Sequence, residues 1–122
     1  MKTKISQSEL DVMDVLWRVP GVGAAEVAAE LSDSKDWADR TVKTLLARLV
    51  EKGVLSTEKE GRRFLYTPTV SREDYAGRAT RHFAKRLFGG RAAPLVAHLA
   101  EGEGLTADDI AELEALIESL KT

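Results

Sequence analysis

The hydrophobic period of this sequence changes after Gly53, and the place where it changes leaves few folds open. From Ser6 to Gly53 the apolar residues recur at helical spacing, and from Val54 to Pro68 they do not. Ser6 with Glu9 makes a capping box ahead of Leu10, Met13, Leu16 and Trp17, a helix face that Val12 and Val15 widen. Pro20, Gly21 and Gly23 end that helix. "AAEVAAEL", Ala24 to Leu31, is a short second helix of strong formers. After the "SDSKD" turn, with Asp36 as a candidate cap, a third helix is predicted to start near Trp37 or Ala38 and to stop at Gly53. Then "VLSTEK" and "RRFLYTP", with their β-branched and aromatic residues, flank Glu60–Gly61. That is a hairpin signal, with Gly61 able to take positive φ. Three helices followed by a hairpin is the order of a winged helix-turn-helix.

The third helix has two unlike faces. In "RTVKTLLARLVEKG", Val42, Leu45, Leu46, Leu49 and Val50 recur at the spacing of one buried face. The other face carries Arg40, Thr41, Lys43, Thr44, Ala47 and Arg48, with Glu51 its only acid, at the far end. In a winged helix the second helix braces the third, which enters the major groove of DNA. Thr41, Lys43, Thr44 and Arg48 are residue types that contact bases and phosphates, and Ala47 is small enough to let the backbone approach. Lys59, Arg62 and Arg63 cluster at the hairpin tip, where they would lie along the flanking phosphates. The plainer alternative is a solvated face of a structural helix, and the second cationic cluster on the hairpin weighs against it.

The charge distribution agrees. The chain carries a net −2, but residues 1–39 hold four Lys/Arg against eight Asp/Glu, and residues 92–122 hold one against seven. Residues 40–66 hold seven against three, and residues 67–91 hold six against two. A cationic middle on an otherwise acidic chain suits a specific polyanion better than indiscriminate coating.

Beyond Thr69–Ser71 the helical period returns. Tyr75, Ala79, Phe83 and Leu87 stand four apart before Gly89–Gly90, and "RAAPLVAHLAEG" is a short apolar helix with Pro94 in its first turn. Thr106 with Asp109 opens a last helix, in which Ile110, Leu113, Ile117 and Leu120 follow a coiled-coil spacing. The expected architecture is therefore mainly α with a small β-hairpin wing. A winged helix-turn-helix DNA-binding domain covers residues 1–70, and a helical dimerisation domain covers residues 71–122. Three short helices cannot readily bury their apolar faces alone. A second copy would cover Tyr75, Phe83, Leu87 and the Ile110–Leu120 seam, and a two-fold homodimer would present two recognition helices to a palindrome. Folding back onto the first domain is the alternative.

Other function classes find no residues to carry them. The 122-residue chain has no cysteine, which excludes disulfides, thiolate metal sites and redox switches. His82 and His98, its only histidines, lie one in a basic helix and one in an apolar helix, with no i, i+4 pair to hold a metal. The acids of "ADDIAELEALIE" read as a solvated face, and no glycine loop cradles a phosphate. No catalytic residue, metal or cofactor is expected, so the chain is not read as an enzyme. Lys2, Lys4, Ser6, Gln7 and Glu9 interrupt any signal-peptide run, and no segment is apolar enough to span a membrane. A cytoplasmic protein is expected.

Several pieces together carry a family resemblance. "ELDVMDVLW", "KDW", "RTVKTLLARLVEKG", the "EGRRFLY" hairpin, "RLFGG" and "LVAHLAE" resemble the penicillinase repressors, the BlaI/MecI/CopY family, in order and over nearly the whole chain. The most specific are Leu16–Trp17, Lys35–Asp36–Trp37, and the frame of Thr41, Leu45, Arg48, Leu49, Lys52 and Gly53. The resemblance implies a dimeric winged-helix repressor of a β-lactam-resistance or related stress regulon, bound to an inverted-repeat operator in double-stranded DNA. It also implies a membrane sensor protease and relief of repression by cleavage. Carried over, the DNA-reading helix falls on Arg40, Thr41, Lys43, Thr44 and Arg48, and the wing on Lys59, Arg62 and Arg63. The cleavage site falls on His98–Leu99, where the family's usual pair is Asn–Phe. Asp39 departs from a phosphate-friendly helix start, and the cysteine motif of the copper-responsive branch is lacking, so thiolate copper sensing is not expected. The alternative from another class is a winged-helix protein-interaction module that does not bind DNA, which the salt dependence of duplex affinity discriminates. A ligand-responsive regulator is a third reading, for which the sequence shows no roomy pocket lining.

Overall fold

In the computed structural model, which describes residues 4–102 and 104–122, helix α1 spans Gln7–Arg18. Lys2 and Glu103 lie outside the described residues. Ser6 is the extended N-cap of α1, and its hydroxyl accepts the Glu9 N–H at 3.1 Å while the Glu9 carboxylate accepts the Ser6 N–H at 2.8 Å. The predicted capping box is thus closed. Helix α2 spans Ala24–Leu31 and α3 spans Asp39–Glu51. The N-cap of α3 is Ala38, which offers no side-chain acceptor, so the expected Asp36 cap is not formed. The turn is held differently. Lys35 pairs with Asp11 of α1 at 3.5 Å and sits over the Trp37 ring at 5.8 Å.

Strands β1 (Leu55–Glu60) and β2 (Arg63–Pro68) form the hairpin, in register from Leu55↔Pro68 to Glu60↔Arg63. Gly61–Arg62 is left as a two-residue turn, and Gly61 takes φ +64 as expected. The segment between α1 and α2 does more than stop a helix. Gly21 N–H donates to Tyr66 O at 2.9 Å and Tyr66 N–H donates to Val22 O at 2.8 Å, so this segment adds a short third pairing to β2.

One core holds these elements together. α1 contributes Val12, Met13, Val15 and Leu16, α2 contributes Val27 and Leu31, and α3 contributes Val42, Leu45, Leu46 and Leu49. Val54 and Leu55 seal it from the base of the hairpin. In α1 the buried side runs through Val12, Met13, Val15 and Leu16, with Leu10 and Trp17 of the expected face half-buried, and in α3 Val50 is half-buried at the end of the expected stripe. The chain leaves the wing under Trp17, whose indole N–H donates to Val70 O at 2.9 Å. Arg72 lies 4.9 Å over the Trp17 ring and bonds Asp14 at 3.0 Å. Tyr75, expected on a dimer surface, packs on Trp17 with ring centroids 5.8 Å apart.

The chain divides into two compact units, residues 1–76 and 77–122, and helix α4 (Arg72–Phe88) runs through the division. Helices α5 (Ala92–Ala100) and α6 (Ala107–Leu120) complete the second unit, and the Thr106–Asp109 capping box closes as predicted. Within it Phe88 lies against Phe83 and His98, with ring centroids 6.0 and 5.4 Å apart. Among the described residues of this unit none is buried. Phe83, Leu87, Leu99, Ile110, Leu116, Ile117 and Leu120 are all exposed, Leu120 by 73%. Leu99 of α5 and Leu116 of α6 join this apolar set beside the residues expected there.

Candidate nucleic-acid interface

Helix α3 is fixed by its inner face. Val42, Leu45, Leu46 and Leu49 point into the core, so the remaining side chains have one direction left to take. Arg40, Thr41, Lys43, Thr44, Ala47 and Arg48 are all exposed. They form one outward strip of three cations, two hydroxyls and a small residue along a helix braced by α1 and α2. Asp39 opens the helix, where its charge suits the positive end of the helix dipole.

The wing residues differ among themselves. Lys59 pairs across the strands with Phe64, and its ammonium lies 5.9 Å from that ring. Arg62 stands in the turn, exposed, and makes no ion pair among the described residues. Arg63 donates to Glu26 Oε2 of α2 at 2.7 Å and lies 3.7 Å from Glu60. The strip on α3 and the three wing cations belong to the same compact unit.

The remaining predicted residues lie in the second unit. Phe83 and Leu87 are on α4, Leu113 is half-buried on α6, and Ile110, Ile117 and Leu120 are exposed there. His98 and Leu99 are exposed near the end of α5. Three residues that shape the interface escaped the sequence reading in this role. Lys52 anchors the end of α3 to Glu9, Trp17 anchors the exit from the wing, and Glu26 holds Arg63. The sequence marks Glu9 as half of a capping box, Trp17 as part of an apolar helix face and Lys52 within the family frame, and no local pattern pairs them with their partners.

Among the described residues no group of three or more His, Cys, Asp or Glu side chains is placed to hold a metal ion. The family model described as penicillinase repressor matches residues 5–119. The chain belongs to the penicillinase repressor family. The family is one of transcriptional repressors, not of enzymes. This member is 36% identical over 118 residues to the penicillinase repressor of Bacillus licheniformis, a match covering 97% of this chain and 92% of that one. It is also similar to the solved DNA-binding domain of the repressor BlaI, at 43% identity and a TM-score of 0.56, covering 62% of this chain and 92% of the other. The monomeric form of Bacillus licheniformis BlaI, solved in complex with the blaP half-operator, matches at 44% identity and a TM-score of 0.51, covering 59% and 88%. Among the described residues, no helix of this repressor is long and apolar enough to cross a membrane.

Proposed function

We propose that this repressor acts in the cytoplasm as a homodimer on an inverted-repeat operator in double-stranded DNA. α3 lies in the major groove, where Lys43, Thr44 and Arg48 read base edges and Arg40 and Thr41 meet phosphates. The wing follows the flanking backbone. The observation that carries this reading is the outward strip on α3, cationic and hydroxyl-bearing, on a helix whose other face is locked in the core. The similarity to a BlaI solved in complex with a half-operator supports operator DNA as the partner. The exposed apolar residues of α4 and α6 support a partner of like sequence, and two linked half-sites bind more tightly than either alone. We further propose that a membrane sensor protease ends repression by cleavage at His98–Leu99.

The test is a titration of the protein against duplex from its own promoter over a range of salt. A protein that neutralises phosphates loses affinity in proportion to the counterions it releases, with a slope of about 0.9 per phosphate on a logarithmic scale. Specific binding that weakens steeply with salt is the expected result. Duplex affinity that is absent, or indifferent to salt, refutes the reading.

A further inference from the structure

Helix α2 and the wing meet at one point. Gly23, the buried N-cap of α2, lies so close to β2 that a Cβ on it would meet Phe64 O at 3.3 Å and Glu26 Oε1 at 3.1 Å. A side chain at this position would push the Glu26 carboxylate or the β2 backbone back by a few tenths of an ångström, so glycine suits the close approach of helix start and strand. Glu26 Oε1 accepts the Gly23 N–H at 3.1 Å, and Glu26 Oε2 accepts from Arg63 Nη1 at 2.7 Å. The two oxygens of one carboxylate therefore tie a helix N-terminus to the first residue of β2. The hydrogen bond from Arg63 holds the Glu26 carboxyl below the ordinary glutamate range.

We propose that Arg63 is a positioning residue that clamps the wing to α2 through Glu26, and that Arg62 and Lys59 carry the wing's contacts with DNA phosphates. The inference rests on the DNA-binding reading above. Its physical reason is competition. The Arg63 guanidinium already lies between two carboxylates, Glu26 and Glu60, so it presents a phosphate with little net positive charge. Its planar fork is suited to hold a carboxylate in fixed geometry, which is what a hinge between helix and strand requires. Arg62 has no such partner among the described residues, and Lys59 has only the face of Phe64.

One substitution separates positioning from phosphate contact by its sign. Removing a negative charge from a DNA-facing surface strengthens binding when nothing else changes. Glu26→Gln keeps an acceptor for the Gly23 N–H but loses the charge that holds Arg63. If Arg63 positions the wing, this variant binds the operator more weakly, by roughly two- to fivefold, the range an exposed ion pair commands. Its salt slope stays at the parent's value, whereas Arg62→Ala lowers that slope by about 1. Anisotropy titrations of the three full-length proteins against promoter duplex measure both quantities. A Glu26→Gln protein that binds as tightly as the parent or tighter overturns the clamp, and so does an Arg62→Ala protein with an unchanged slope. If the parent shows no specific duplex affinity, the DNA-binding reading fails, and the clamp is then decided on the free protein. Amide exchange at Gly21 and Tyr66, whose N–H groups bridge the loop to β2, must be faster in Glu26→Gln. Unchanged exchange overturns it.

Discussion

Lys52 Nζ donates to Glu9 Oε1 at 2.6 Å, across 43 residues of sequence, and joins the end of α3 to the first turn of α1. The same ammonium donates to Lys4 O at 2.7 Å. Glu9 is 2% exposed, the one buried charged residue of the described chain, and it closes the α1 capping box as well. One carboxylate thus caps the first helix and holds the C-terminal end of the helix that carries the outward strip of cations and hydroxyls.

This pair makes the fold sensitive to acid. Burial pushes the Glu9 carboxyl up, but the Lys52 hydrogen bond, the Ser6 amide and the Lys52 charge outweigh it and hold it below its ordinary value of 4.5. A depressed folded-state value adds stability above the unfolded value, and that stability is lost as pH falls through the folded one. Unfolding in urea should therefore show stability declining as pH drops below 4.5, with a shallower decline in Glu9→Gln. Lys52→Met should cost about 1–3 kcal/mol at neutral pH, a value discounted because the Lys52 side chain is 31% exposed. A Lys52→Met protein as stable as the parent at neutral pH would refute the role of the pair.

The outward strip of α3 separates reading from folding. Lys43 and Arg48 are exposed, so alanine at both should leave the thermal midpoint nearly unchanged. Each lost base contact should cost about 1–3 kcal/mol of specific affinity. Circular dichroism melts beside operator titrations measure both effects. Parental operator affinity in the double variant would move the reading surface off this face.

The second unit predicts association. Ile117 is 52% exposed and Leu113 half-buried, so aspartate at both disturbs the single chain little. In a shared seam the same two carboxylates would lose water with no cation opposite them. Sedimentation velocity should show the parent as a dimer and Leu113→Asp/Ile117→Asp as a monomer, with the winged-helix unit still folded by its near-ultraviolet spectrum. A parent that sediments as a monomer at working concentration ends the idea.

Cleavage at His98–Leu99 would act through the same seam. The bond lies in the last turn of α5, which ends at Ala100, and both flanking side chains are exposed. Gly102 follows at φ +65, a conformation that does not continue the helix, so the turn opens at low cost. A cut removes residues 99–122, and with them Ile110, Leu113, Ile117 and Leu120, while the winged helix keeps its core. Intact mass of the protein recovered from cells before and after β-lactam exposure should show the shortened chain. Target genes that switch on while every recovered chain is full length would rule cleavage out as the switch.

The elements of this protein were legible in its sequence because each depends on neighbours within a turn or two. Ser6 and Glu9, Thr106 and Asp109, and the glycine at position 61 carry out in the structure the local roles their spacing predicts. The outward strip of α3 was legible for the same reason, since the spacing that buries Val42, Leu45, Leu46 and Leu49 leaves Arg40, Lys43 and Arg48 no other side. Which cations remain available to a phosphate was not legible. Arg62 and Arg63 are alike in sequence, yet one has no ion pair among the described residues and the other is held by Glu26, 37 residues away. Trp17 meets Val70 across 53 residues, Lys52 meets Glu9 across 43, and Tyr75 packs on Trp17. No local pattern encodes such pairings. They follow from how the three helices pack around one core, which brings distant charges within hydrogen-bond reach and sets which of them neutralise one another.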